Sequence, residues 1–220
     1  MVEWICSHEP VPYRQAVSWM ENRTACIASG SGNETVWLLE HPPLYSSGTS
    51  TQAGEIPDDA PFPVFSTGRG GRVTYHGPGQ RVAYLMLDLN RRRRDVRLFV
   101  SAIEQWIIAA LAEFDVHGFP AAGRTGVWVR TGNGENKIAA IGIRLRRWIS
   151  FHGVALNVRP NLRHFDPIVP CGIRNHGVTS LSELSVQAEM PDVDTALRRQ
   201  FERFLGEAAW NGTELPPKLG

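Results

Sequence analysis

The pattern of hydrophobic and polar residues along the chain predicts three amphipathic helices. In the first helix, Tyr13, Ala16, Val17 and Met20 recur at helical spacing and share one face. The second helix has the longest apolar stripe, formed by Leu98, Phe99, Ile103, Trp106, Ile107, Ala110, Leu111 and Phe114. The third begins near Pro191, a residue favoured in the first helical turn, and its apolar positions are Val193, Leu197, Phe201, Phe204 and Leu205.

Shorter apolar runs between the helices predict strands. Residues 24–30 and 34–41 have the composition of a hairpin that turns at residues 30–33. Residues 81–89 form a nearly continuous apolar run, which is typical of a strand covered on both faces. Residues 126–129 predict a further short strand.

Residues 137–158 predict two more strands, the first with Ile143 and Leu145 facing inward and the neighbouring arginines facing outward. Residues 42–67 are rich in Pro, Ser, Thr and Gly and predict a long loop. Because helices and strands do not alternate regularly, we expect a mixed α/β fold. The sequence indicates one domain over residues 1–220, with residues 211–220 as a flexible tail.

Composition narrows the classes of protein that remain possible. The chain has 220 residues, a formal net charge of +1 and 42% hydrophobic residues, as an ordinary globular domain does. The low charge argues against nucleic acid as a partner, and no apolar run approaches the ~20 residues of a membrane helix. The first ten residues lack the basic and apolar stretches of a signal peptide.

Three cysteines are present, and none belongs to a CxxC pair. An odd number of widely spaced cysteines predicts free thiols, no disulfide and a cytoplasmic protein. We expect Cys6 and Cys26 to behave as small buried hydrophobes. Because the histidines and cysteines lack metal-ligand spacing, the sequence predicts no metal site.

The segment RGGRVTYHGPGQ, residues 69–80, combines four glycines with Arg69 and His76. Glycines at this density let backbone N–H groups approach a ligand without an intervening Cβ. The segment matches neither GxGxxG nor a Walker loop. Its alternative interpretation is a tight connection into the following strand.

A second candidate is Cys171, which lies between a proline and a glycine and outside any apolar periodic pattern. That position suits a nucleophile, but a thiol needs a nearby cation or base to ionise at neutral pH. The candidate helpers are His76, His152, His176 and Lys137. A solvated lysine at the start of a strand is the alternative interpretation of Lys137. The arginine-rich run at residues 91–97 is either a solvated loop or a surface for an acidic partner.

The segments at 69–80 and 137–158 and the Pro-Cys-Gly at 170–172, in this order, closely resemble the lipoyl(octanoyl) transferase family over about residues 8–205. The resemblance implies a biotin/lipoate protein ligase-like mixed sheet flanked by helices. It implies transfer of an octanoyl group from octanoyl-acyl carrier protein to a lysine of lipoyl domains, either of 2-oxoacid dehydrogenases or of the glycine cleavage H protein. No cofactor is implied.

The resemblance also implies roles for individual residues. Cys171 would carry the acyl group as a thioester, and Lys137 would lower the pKa of that thiol. Either Lys137 or the departing thiolate would deprotonate the acceptor amine. The implied substrate-binding residues are Arg69, Gly70, Gly71, Arg72, Val73, Thr74, Tyr75, His76, Ala140, Ile141, Gly142, Gly153, Val154 and Ala155.

Small side chains at 140, 142, 153 and 155 suit a narrow slot for an apolar tail. An alternative on the same fold is an ATP-dependent lipoate or biotin ligase, which would need no cysteine. A nucleic-acid-binding module that uses the arginine run is a second alternative, disfavoured by the low net charge.

Overall fold

The computed structural model describes residues 1–132, 134–168 and 176–210, and the strands in these ranges form two sheets. The larger sheet has seven strands in the order β1-β2-β6-β10-β9-β8-β7, and the smaller has three in the order β4-β3-β5. The β1–β2 and β3–β4 pairs are parallel, and the other pairs are antiparallel. The strands are β1 (Glu3–Cys6), β2 (Thr35–Leu39), β3 (Leu44–Ser47), β4 (Val64–Ser66), β5 (Thr74–His76), β6 (Gln80–Met86), β7 (Gly118–Ala121), β8 (Arg124–Thr131), β9 (Gly134–Arg146) and β10 (Ile149–Asn157).

Among the described residues, three α-helices flank the larger sheet, namely α1 (Tyr13–Ala28), α2 (Val96–Ala112) and α3 (Met190–Phe204). Along β2, alternate residues such as Val36 and Leu38 pack with α2 and α3, whereas Trp37 and Leu39 pack with α1. This alternation is the two-residue period of a strand covered on both faces. The predicted mixed α/β class is therefore confirmed.

The three predicted helices are present, and two have clear start signals. The Asp95 side chain accepts a hydrogen bond from Leu98 N at 3.0 Å and caps α2. Pro191 lies in the first turn of α3, as predicted. No helix within the described ranges is long and apolar enough to span a bilayer.

The prediction of a strand at 24–30 and of a hairpin after it is wrong, because α1 continues to Ala28. Thr24 and Ile27 are buried and extend the face formed by Ala16 and Met20 at three- and four-residue spacing. Packing of this face overrides the local preference of Thr, Cys and Ile for strands. Cys26 lies on the opposite face and is exposed, so its predicted burial is also wrong.

Cys6 is only partly buried, and its thiol contacts Asp194 at 3.4 Å. Burial raises the pKa of the Cys6 thiol, and the Asp194 charge raises it further.

The predicted long loop at 42–67 also contains strands. β3 and β4 lie within it and pair with each other, and β3 also pairs with β5. Short strands of this kind are stabilised by partners distant in sequence, which a local pattern does not contain. The glycine-rich segment connects this smaller sheet to β6 of the larger one.

The arginine run does not form a solvated loop throughout, because Arg92 is buried. Its Nη1 lies 2.5 Å from Glu34 Oε1, and its Nε donates to the Leu205 carbonyl at 2.8 Å. Arg92 therefore ties the start of β2 to the end of α3. It is not available to an acidic partner, in contrast to the exposed Arg91 and Arg94.

Candidate active site

A cavity of about 400 Å³ opens on the α1 side of the larger sheet. Its floor is formed by β6, β10 and β9, and further walls come from Tyr13 of α1, the glycine-rich segment and residues 123–125. Within it lie Arg69, Gly71, Arg72, Thr74, His76, Lys137, Ala140, Ile141, Gly142, Gly153, Val154 and Ala155. The structure thus brings these sequence-predicted residues together around one space.

Gly70, Val73 and Tyr75 do not line this cavity. Because strand side chains alternate, Thr74 and His76 of β5 face the cavity, whereas Val73 and Tyr75 are buried in the core of the smaller sheet. The Gly70 amide donates to the Ile143 carbonyl at 2.9 Å and fastens the glycine-rich segment to β9.

The cavity floor carries only small side chains where β10 and β9 pair. Ala155 pairs with Ala140, and Gly153 pairs with Gly142. A Cβ on Gly153 would overlap the Ala83 carbonyl oxygen, and one on Gly142 would lie 2.9 Å from Arg69 Cδ. Larger residues do not fit at these two glycines, because Gly153 lets β10 approach β6 closely and Gly142 leaves room for the Arg69 side chain.

Lys137 lies at one end of this slot and is 6% exposed, so the interpretation of it as a solvated lysine is wrong. Its Nζ donates to the Thr125 carbonyl at 2.9 Å and lies 4.9 Å from the centre of the Trp128 ring. Nearby, burial raises the pKa of the Glu104 carboxyl, an effect that the Gly126 amide and Lys137 partly oppose. The Glu104 carboxylate accepts a hydrogen bond from Gly126 N at 3.0 Å.

Cys171 lies outside the described residues, but the chain that follows it packs against Lys137. Lys137 N donates to the Gly177 carbonyl at 3.0 Å, and Thr179 N donates to the Lys137 carbonyl at 3.0 Å. The His176 ring packs edge-on against Trp128, with ring centres 5.4 Å apart. His176 is five positions after Cys171, so the described chain resumes beside the lysine.

Arg69 is buried at the opposite end of the slot. Its Nη2 donates to the Ser46 carbonyl at 2.7 Å and to the Ser46 hydroxyl at 2.8 Å. The neighbouring Arg72 forms an ion pair with the buried Glu55 at 2.9 Å. Gly71, between the two arginines, has φ +88°, a conformation that side chains rarely adopt.

A hydrogen-bonded chain of buried polar residues runs behind His76. The Gln80 amide nitrogen donates to Asn157 Oδ1 at 2.9 Å, so its oxygen accepts from His76 Nδ1 at 2.7 Å. His76 Nε2 then accepts from the Ser46 hydroxyl at 3.0 Å. These partners make His76 a neutral imidazole, and burial lowers its pKa well below the usual value.

Two other buried histidines are also neutral. Burial lowers the pKa of His41 to about 4, and His41 is hydrogen-bonded to Tyr84 at 2.6 Å. Burial, with Arg69 and Arg144 nearby, lowers the pKa of His152 to about 3. None of these rings therefore supplies a base that titrates near pH 7.

Sequence reasoning did not assign several lining residues to the substrate site. They are Tyr13, Val82, Tyr84, Gly123, Arg124, Thr125 and His152. His152 has φ +63° within β10, and Tyr84 interrupts an apolar strand with a hydroxyl. A polar residue in a strand buried on both faces was the available signal. Among residues 1–132, 134–168 and 176–210, no cluster of three or more His, Cys, Asp or Glu could hold a metal ion.

A family model, the lipoyl protein ligase A/B catalytic domain, matches residues 12–202. The chain belongs to this family. Two members named octanoyltransferase are similar over nearly full length. The protein of Jannaschia sp. (strain CCS1) is 57% identical over 94% of this chain and 100% of its own. That of Nitrobacter hamburgensis is 59% identical over 94% of this chain and 88% of its own.

Solved structures agree with the predicted biotin/lipoate ligase-like fold. The bi-partite lipoate protein ligase of Thermoplasma acidophilum has a TM-score of 0.71 at 16% identity, covering 93% of this chain and 84% of its own. The biotin protein ligase of Aquifex aeolicus, with biotin and ATP, has a TM-score of 0.55 at 12% identity, covering 91% and 68%. The predicted fold is confirmed.

Proposed function

We propose that this chain is an octanoyltransferase that moves an octanoyl group onto a lysine of lipoyl domains through a thioester on Cys171. The observation that carries the proposal is the buried Lys137 ammonium at the end of a slot walled by small residues. The shared name of relatives at 57% and 59% identity supports octanoyl as the group transferred.

The slot suits an acyl tail for physical reasons. Alanines and glycines at 140, 142, 153 and 155 give a floor without long side chains. The buried histidines at this site are neutral because burial lowers their pKa values, and Tyr13 is neutral because burial raises its pKa to about 12. An uncharged tail therefore displaces water without leaving an ionised histidine or tyrosine unsolvated.

Lys137 supplies the charge that the chemistry needs. An ammonium about 4 Å from a thiolate stabilises it by up to about 4 kcal/mol at an effective dielectric constant of about 20. That stabilisation is enough to bring an ordinary thiol close to ionisation at neutral pH. The described chain after Cys171 is hydrogen-bonded to Lys137 on both sides, which supports this pairing.

The reaction proceeds in two steps, namely capture of the octanoyl group by Cys171 and its transfer to the acceptor lysine. The Cys171 thiolate attacks the donor carbonyl, a new thioester forms, and the donor thiol leaves as a thiolate. The neutral acceptor amine then attacks the enzyme thioester, an amide forms as the Cys171 sulfur leaves, and the proton that the amine loses passes to that sulfur, either directly or through Lys137. The reaction needs no ATP, because the donor is already an activated thioester and the amide product is more stable than a thioester.

The donor that we propose is octanoyl-acyl carrier protein, and the acceptors are lipoyl domains of 2-oxoacid dehydrogenases and the glycine cleavage H protein. The family description, a lipoyl protein ligase catalytic domain, supports lipoyl domains as acceptors. We also infer a cytoplasmic location, which is supported by the free thiols of Cys6 and Cys26. An ATP-dependent ligase is less well supported, since the similar relatives are named octanoyltransferase.

The test is intact mass after mixing the protein with octanoyl-acyl carrier protein, without ATP and without acceptor. We expect one octanoyl adduct that hydroxylamine removes, and we expect none in Cys171→Ser, because a hydroxyl ionises far less readily than a thiol. Cys26→Ser is the matched control, since Cys26 is an exposed thiol on α1. An adduct on Cys6 or Cys26, or activity that requires ATP, would contradict the proposal.

A further inference from the structure

A second groove, of about 360 Å³, lies between α2 and the turn that joins β7 to β8. It is lined by Val96, Arg97, Val100, Ser101, Glu104 and Ala121. Gly123, Arg124 and Thr125 line both this groove and the main cavity. The two spaces therefore adjoin at residues 123–125, next to Lys137, whose Nζ donates to the Thr125 carbonyl.

From this adjacency we propose that the groove holds the phosphopantetheine arm of the acyl carrier protein that donates the octanoyl group. The proposal rests on the proposed function, in which the acyl tail fills the main cavity and the thioester lies beside Lys137. The arm is the straight continuation of that thioester on its sulfur side. The groove is the space that adjoins the cavity at that end, across residues 123–125.

The lining suits the arm's chemistry. Val96, Val100 and Ala121 offer apolar contacts for a thin aliphatic chain, and Val96 is 44% exposed. Arg97 places a cation in the groove, where the arm's phosphodiester carries a negative charge, whereas the neighbouring Arg124 is paired with Glu135 and lies over the Trp128 ring. Arg97 is exposed and has no ion-pair partner within the described residues. The Glu104 carboxylate also lines the groove, but it accepts a hydrogen bond from the Gly126 amide, which reduces its repulsion of an incoming anion.

The same charge argues against the acceptor as the occupant. The acceptor presents a lysine side chain, which approaches as an ammonium, and Arg97, unpaired among the described residues, would repel it. A neutral or anionic arm does not meet this penalty. The groove therefore favours the donor over the acceptor.

The test measures how fast the unmodified protein and the Arg97→Glu variant take up an octanoyl group from three octanoyl thioesters. The octanoyl adduct on the enzyme is followed by intact mass, without acceptor. The donors are the carrier protein, free 4′-phosphopantetheine and pantetheine, and the last two differ only in the phosphate. We expect kcat/KM for capture to fall about tenfold for the two phosphate-bearing donors, a change of about 1.4 kcal/mol, and to stay unchanged for pantetheine.

Arg146→Glu is the matched control, because it changes the net charge by the same amount. Arg146 is an exposed arginine at the end of β9 that is distant from Lys137 and the groove. Equal slowing of all three donors by Arg97→Glu, slowing of the carrier protein alone, or no slowing at all would each overturn the assignment. Failure of the unmodified protein to form any adduct would instead contradict the proposed function, so the two failures are distinguishable.

Discussion

Replacing Arg92 with methionine should destabilise the protein severely although the residue belongs to an arginine-rich surface run. The Arg92 side chain is fully buried, and its two Nη atoms donate to the Glu34 carboxylate at 2.5 and 3.1 Å. Methionine would fill much of the space but leave Glu34 as a buried carboxylate, still bonded to Asp88 N. Removal of one partner of a buried ion pair costs about 3–5 kcal/mol. Since such a domain is stable by about 5–15 kcal/mol in total, we expect partial unfolding at 37 °C.

The assay is urea denaturation followed by tryptophan fluorescence, with Arg91→Met as the control. Arg91 pairs with Glu207 at 3.4 Å, but both side chains are exposed, so we expect a loss of at most about 1 kcal/mol. Arg92→Met combined with Glu34→Gln should be less destabilised than Arg92→Met alone, because the buried charge is gone. A loss below about 1 kcal/mol in Arg92→Met, or one equal to that of Arg91→Met, would refute the reasoning.

Three further predictions concern the site. Lys137→Ala should keep the fold but move alkylation of the Cys171 thiol to higher pH by about one unit or more, with Lys137→Arg in between; an unchanged alkylation profile would contradict the pairing. Gly153→Ala should lower the unfolding free energy by about 1–3 kcal/mol and abolish octanoyl capture, because the new Cβ would overlap the backbone of β6. Gly132→Ala is the control and should leave stability unchanged, because a Cβ there meets nothing within 4 Å. Equal stability of the two variants would contradict this account. The pKa of His41 in the folded protein is about 4, below the unfolded value of about 6.5, so the folded state resists protonation of this ring. The unfolding free energy is therefore highest above pH 6.5 and should fall by about 3 kcal/mol as the pH decreases toward 4. Denaturation at several pH values should show a smaller decrease in His41→Gln, and an unchanged dependence of the unfolding free energy on pH would refute this account.

The elements that the sequence predicted well are those whose patterns are long and periodic. The apolar stripes of α2 and α3, and the strands around residues 81–89 and 137–158, appear where they were expected. In β9, Ile143 and Leu145 pack with the core, and the neighbouring arginines are exposed, as the alternation required. The errors occurred where competing patterns are short, as at residues 24–30, or where strands find distant partners, as β3 and β4 do.

The sequence by itself determined the mixed α/β class and identified the glycine-rich segment, Lys137 and Cys171 as candidate chemistry, because glycine density and residue type are local properties. Only the tertiary structure decided that Lys137 is buried beside Trp128 and that Arg92 is a core residue. It also decided that His41 and His152 are neutral. Burial and charge pairing depend on side chains brought from distant parts of the chain, and the energies that they set are absent from any local pattern.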